Sequence, residues 1–121
     1  MNTETLARWA QEEVTAILKA LPDDISSAAA AVPVSYETAP GAEPLDASLE
    51  GDELGLFEGH TTAEEPDPAD LPRIRLFLGN IWDWVEEDEQ DFRDEVGTTY
   101  LHELGHYLGW DEEDLAGRGL E

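Results

Sequence analysis

The feature that most constrains this chain is the run His102-Glu103-Leu104-Gly105-His106 near its end. Residues four apart on an α-helix stand on one face, one turn above the other. In a helix, His102 and His106 would therefore aim two imidazoles at one point and grip a single metal ion. Glu103, beside them, is placed to take a proton from water at that ion. The surrounding sequence supplies the helix. Phe92, Val96, Tyr100, Leu104 and Leu108 recur at helical intervals, predicting a helix over about residues 89–108 with a broad apolar arc. The three motif residues fall on the adjoining arc. The acids from Glu86 to Asp91 are expected to open the helix, where negative charge complements its dipole. Gly109 can end it in the left-handed conformation, and Gly105 leaves room for another element to approach between the histidines. The pattern points to a metal-dependent hydrolase.

The motif fixes only three positions, so its bland rival is a surface helix that happens to carry two histidines. The chain has 3 histidines, and two of them are in the motif. A glycine also stands three residues after His106. Three residues beyond Gly109 comes Glu112, where one extended zinc-hydrolase pattern puts its last ligand. Asp111 precedes it and suits the N-cap of a final turn. The spacing favours Glu112 as third ligand, with Asp111 as the alternative. His60, in a distant loop, reads as a surface histidine with an outside claim to ligation.

The charge balance narrows the partners. Thirty Asp and Glu face 6 Lys and Arg, a net charge of −24 over 121 residues. Nothing here could neutralise phosphates, so nucleic acid and an anionic membrane surface are not expected partners. With no cysteine, disulfides and thiolate zinc sites are excluded. No apolar run is long enough to span a bilayer. The N-terminus reads as a mixed-charge helix and not as a secretory signal, which makes the cytoplasm the expected location. The length suits one domain, residues 1–121.

In chain order, Leu6, Trp9, Ala10, Val14, Ile17 and Leu21 predict an amphipathic helix that Asn2 or Thr3 caps and Pro22 ends. Asp23 to Ala31 suggests a short helical continuation. Val32 to Glu37 reads as a strand whose proline confines it to an edge or puts the proline at its start. A loop rich in Pro, Gly and acids follows, then a candidate strand over Leu54 to Gly59 and a second acidic loop. Arg73 to Leu78 is the best strand pattern, partly alternating against two arginines. Asn80 is expected to cap a short helix through Ile81, Trp82, Trp84 and Val85. Trp82 and Trp84 cannot both face inward at helical spacing, so one is a candidate cleft wall. Trp9 reads as core. The tail from Asp111 reads as a short capped turn or helix.

With Leu54-Gly55-Leu56-Phe57-Glu58-Gly59, Leu71-Pro72-Arg73-Ile74-Arg75-Leu76-Phe77 and the segment from His102 to Leu115, the chain resembles the small bacterial zincin-like metallopeptidases. The likeness runs over almost the whole chain, including the first helix with Leu21-Pro22. It implies an α+β minimal zincin: a small, mostly antiparallel or mixed sheet on an active-site helix, with an N-terminal and a short C-terminal helix. The family motif His-Glu-x-x-His-x-x-Gly-x-x-Asp maps onto His102, Glu103, His106 and Gly109. Glu112 stands where an Asp is usual, which lengthens the ligand arm by one methylene. The sole methionine is Met1, so the methionine turn of metzincins is missing.

The resemblance implies one zinc ion (Zn2+) or another divalent cation, and a peptide or protein substrate. It also makes Leu54, Gly55, Leu56 and Phe57 the edge strand along which an extended peptide would lie. Glu103 would take the proton of a metal-activated water and pass it to the leaving amine. The rival class is a non-catalytic module of the same fold that binds a peptide or protein. Retention of Glu103 argues against it, because holding a metal does not need that residue.

Overall fold

The apolar stripe of the N-terminal segment folds as helix α1, Thr3–Ala20, burying Leu6, Ala10 and Val14. The Asn2 side chain accepts the Thr5 N–H at 2.8 Å and so satisfies one of the free donors at the helix start. Pro22 cannot continue the helix, and the chain re-enters helix α2 at Asp23–Ala30 as a separate element. The computed structural model describes residues 2–41, 50–65 and 67–110. Within them follow strands β1 (Val34–Glu37), β2 (Gly55–Glu58) and β3 (Arg73–Phe77), then helices α3 (Leu78–Trp84) and α4 (Glu89–Leu108). None of the helices is long and apolar enough to cross a membrane.

The sheet order is β1-β3-β2. β1 runs parallel to β3, with Val34 opposite Ile74. β2 runs antiparallel to it, with Gly55 opposite Leu76. The fold is thus α+β around a small mixed sheet, as expected. β3 is central because its Ile74 and Leu76 are wholly buried. β1 begins just after Pro33, whose carbonyl accepts the Ile74 N–H at 3.0 Å. The proline therefore sits at the strand's start, where its missing donor does no harm. β2 pairs with β3 alone, so among the described residues its other edge carries no strand.

The helices cover one face of the sheet. Leu6, Ala10 and Val14 of α1, Phe92, Val96, Tyr100 and Leu104 of α4, Ile74, Leu76 and Ile81 form one buried cluster. Each large side chain in it contributes about 1.5–3 kcal/mol on burial. Trp9, Trp82 and Phe92 interlock with ring centroids 5.7–6.0 Å apart and pin α1, α3 and α4 together. Trp9 thus packs on the core, as its spacing predicts. Of the tryptophan pair, Trp82 turns inward and Trp84 stays out, 68% exposed.

Three local details refine or correct the sequence expectations. Helix α3 starts at Leu78, so Asn80 lies inside it and does not cap it. Its amide instead donates to the carbonyls of Gly51 and Glu53, at 2.9 and 2.8 Å. The acidic run opens α4 as expected, with Glu89 and Asp91 in its first turn, but its first two acids belong to the turn before the helix. Glu86 and Glu87 adopt left-handed φ of 56° and 63° in the turn after α3. Asp88 is the N-cap, accepting the Asp91 N–H at 2.9 Å.

The third detail concerns Arg75, one of the two arginines of the partly alternating strand, which is only 5% exposed. It donates to both carboxylate oxygens of Glu37, at 2.9 and 2.8 Å, and reaches Glu58 at 3.3 Å. A buried guanidinium is tolerated only when paired in this way. Glu37's carboxyl is held below its ordinary range, first by the Arg75 hydrogen bond.

Candidate active site

Helix α4 carries the site because its two arcs meet different neighbours. Phe92, Val96, Tyr100 and Leu104 enter the core, while His102 and His106 face outward. Their rings lie one above the other, with centroids 4.8 Å apart and planes at 63°. The geometry follows from the four-residue spacing. Glu103 does not share the histidines' exposure: it is 7% exposed, on the side of the helix that meets β2. Its carboxylate lies 3.4 Å from Nδ1 of His106.

The contact with β2 is set by Gly55. A Cβ built there would meet Thr99 Cγ2 at 2.6 Å and Glu103 Cγ at 3.4 Å. Only a residue without a side chain lets the edge strand lie this close to α4 at the level of Glu103. Phe57, two residues on and hence on the same face, packs its ring 5.9 Å from that of Tyr107. Tyr107 therefore braces the edge strand. Between strand and helix lies a cleft of about 290 Å³ lined by Glu53, Leu54, Gly55, Thr98, Thr99, His102 and Glu103.

The end of α4 is fixed by backbone bonds. Gly109 adopts φ 73°, ψ 24°, the left-handed cap its position predicts. Its N–H reaches the carbonyl of His106, and the Trp110 N–H that of Gly105 at 2.8 Å, closing a Schellman motif. Thr62 N–H takes the Tyr107 carbonyl at 2.9 Å, so the loop after β2 is tied to the turn that carries His106. His60 belongs to that loop, its Nδ1 3.3 Å from the Thr61 carbonyl oxygen. It forms no metal-holding group with the motif histidines.

The donor set fits a metal ion in part. Two imidazoles on consecutive turns of an exposed arc, of which His102 lines the cleft, suit a borderline cation such as zinc. Among the described residues no group of three or more His, Asp or Glu assembles as a metal set. Glu112, Asp111 and the expected C-terminal helix lie outside the described residues. Leu54, Gly55, Leu56 and Phe57 lie in or beside the open-edged strand.

Thr99 was not singled out in the sequence, although it stands four residues before Glu103 and so on the same helical face. That spacing was the signal available. The contribution of Asn80, which anchors the segment leading into β2, left no comparable trace.

A helix bearing His-Glu-x-x-His beside the free edge of a small mixed sheet is the architecture of a zincin. The sequence profile of the zincin-like metallopeptidases matches residues 29–120, and the chain belongs to that family. No curated protein matches it in sequence.

Proposed function

We propose that the chain is a zinc-dependent peptidase in which Glu103 is the general base and His102 and His106 are metal ligands. Glu112 completes the set, with Asp111 as the alternative third ligand. The observation that carries the reading is the position of Glu103. Its carboxylate is buried in a cleft it shares with His102, against a strand whose outer edge is open. Zinc, when bound, supplies a Lewis-acidic centre that brings a water's pKa to about 7.

The chain's own residues do the rest. The contact between Glu103 and His106 uses Nδ1, which leaves Nε2 as the ligating nitrogen. Glu103 accepts the proton of the attacking water and delivers it to the leaving amine. The walls from Glu53 to Gly55 and from Thr98 to Glu103 restrict bulk water around that carboxylate. The free edge of β2 offers backbone donors and acceptors to an extended peptide. The second reading, a peptide-binding module without catalysis, uses the same edge but leaves the buried Glu103 without a task.

The test is hydrolysis of a peptide library by zinc-loaded wild type and by Glu103→Gln, with zinc content measured in both. The reading expects one zinc in each protein and a loss of turnover of at least about a hundredfold in the variant. Equal hydrolysis by the two would falsify it. Binding of peptides without any cleavage by wild type would favour the second reading. Comparing zinc content in Glu112→Ala and Asp111→Ala identifies the third ligand.

A further inference from the structure

A second, larger cleft adjoins the candidate active site. It measures about 600 Å³ and is lined by Gly51, Asp52, Glu53, Leu54, Asn80, Asp83 and Trp84. Glu53 and Leu54 line both clefts, so the two adjoin at the N-terminal end of β2. A peptide lying along the open edge and over Glu103 would lead into it.

Its wall is preorganised. The Glu53 carboxylate accepts the N–H groups of Glu50 and Gly51, each at 2.8 Å. Those bonds hold its carboxyl below the ordinary range. The Leu54 carbonyl accepts the Phe77 N–H at 2.9 Å, extending the pairing of β2 with β3 by a residue. Asn80 ties Gly51 and Glu53 to α3. Among the described residues no ring packs on the Trp84 indole in the way that Trp9 and Phe92 pack on Trp82. With Leu71, Trp84 is one of two large hydrophobic side chains exposed among the described residues.

Carboxylates cover much of this chain, so they do not by themselves single out this cleft. What does is an indole that no described residue covers, on a fixed wall, in a cavity that shares Glu53 and Leu54 with the one that holds Glu103. An indole face flanked by Asp83 and Asp52 matches one class of side chain: an alkyl stem ending in a cation. An acidic side chain would be repelled there.

We infer that the Trp84 cleft is a specificity subsite for an arginine or lysine side chain of the peptide held along β2. The inference rests on the peptidase reading, since it takes the cleft's occupant to belong to the same extended chain. The guanidinium or ammonium lies against the Trp84 indole with Asp83 as its counter-charge. The peptide backbone continues toward Gly55 and Glu103.

The test uses the full-length, zinc-loaded Glu103→Gln protein, so that binding is read without turnover. Calorimetry compares blocked, otherwise uncharged peptides carrying a single arginine, scanned through successive positions, with their citrulline counterparts. Citrulline keeps the shape and removes the charge. One position is expected to favour arginine by about fivefold, the sum of a partly exposed cation–π contact and an exposed ion pair. That preference falls below about twofold when Trp84→Ala or Asp83→Asn is added, and Trp84→Phe restores most of it.

A chain of net charge −24 attracts any cation, so Glu4→Gln on α1 is the control. It removes the same unit of charge as Asp83→Asn and leaves the preference unchanged. Equal affinity for arginine and citrulline peptides at every position, binding of neither, or a preference indifferent to Trp84→Ala overturns the subsite. Hydrolysis by wild type is scored separately. Selective binding of arginine peptides that are never cut removes the peptidase reading and leaves the binding cleft standing.

Discussion

Helices α1 and α4 have similar lengths, 18 and 20 residues, and each buries an apolar arc in the same core. They differ in what lies against the remaining surface. On α1, Gln11 and Lys19 face solvent. On α4, the edge strand β2 lies over part of that surface and holds Thr99 and Glu103 beneath Gly55. Water screens the charges of the first helix, whereas the second keeps a carboxylate in a site with fixed walls, where electrostatic interactions are stronger. A polar face becomes a candidate for chemistry when a second element covers it.

The largest effect that separates the two helices is metal retention. His106→Ala is expected to lower zinc affinity by more than about a hundredfold, since even the loss of a ligand's outer partner costs 10–100-fold. Elemental analysis after dialysis measures it. Lys19→Ala, on the solvated face of α1, leaves zinc content at the wild-type level. Undiminished zinc in His106→Ala would remove the distinction drawn between the two helices.

Next in size is the covering contact itself. Gly55→Ala puts a methyl 2.6 Å from Thr99 Cγ2, so strand and helix must separate or strain. Overpacking of this kind costs about 1–3 kcal/mol, and it moves the wall beside Glu103. We expect a lower melting temperature and a fall in kcat larger than any rise in KM. Thr99→Ser removes the methyl that Gly55→Ala would strike. The double variant should therefore recover most of both losses. If Gly55→Ala alone is silent, the close approach of β2 to α4 has no part in placing Glu103.

The sheet's other face sharpens the comparison, because there a buried charge is held by ion pairs. Glu37→Gln removes the charge that faces the buried Arg75 guanidinium and one of the two bonds Glu37 accepts from it. The expected loss is about 2 kcal/mol in denaturant melts, with zinc content unchanged. The pH dependence has a definite sign. Because Arg75 holds the Glu37 carboxyl below its ordinary range, its contribution is complete above the unfolded-state pKa. It is lost as pH falls through the lower folded value. Glu37→Gln should flatten that part of the acid limb.

The two covered faces were unequally legible in the sequence. The periodicity of Phe92, Val96, Tyr100 and Leu104 placed α4 at its observed bounds, and Gly109 marked its end, because both signals are local. Pro33 and the run from Arg73 likewise announced their strands. What could not be read was which residues the chain brings together across long separations. Arg75 looks like the polar half of an alternating strand until Glu37, 38 positions away, takes up its guanidinium. Asn80 looks like a cap because Asn is a good one. Only the fold shows its amide engaged by the segment before β2. Gly55 reads as a weak point in a strand until Thr99 and Glu103 are seen beneath it.

The smallest expected effect lies on the buried arc of α4. The hydroxyl of Tyr100 is buried and has no hydrogen-bond partner among the described residues. Burial, followed by the charge of Tyr36, pushes its pKa up from 10.0 to about 12. An unpaired buried hydroxyl costs about 1–3 kcal/mol, whereas Phe at this position keeps the ring and loses the orphan. The small void left behind offsets part of the gain. Tyr100→Phe should therefore match wild type or exceed it by up to about 1 kcal/mol, a rise of a few degrees in Tm for a domain of this size. The neutral phenol is the form the fold favours. Its contribution is complete below pH 10.0 and lost as pH rises through about 12, and the variant should lack that alkaline limb. A loss of more than about 1 kcal/mol would mean that the hydroxyl is hydrogen-bonded after all. The inner arc of α4 would then hold a polar contact as its outer arc does, and the contrast with α1 would extend to both sides of the helix.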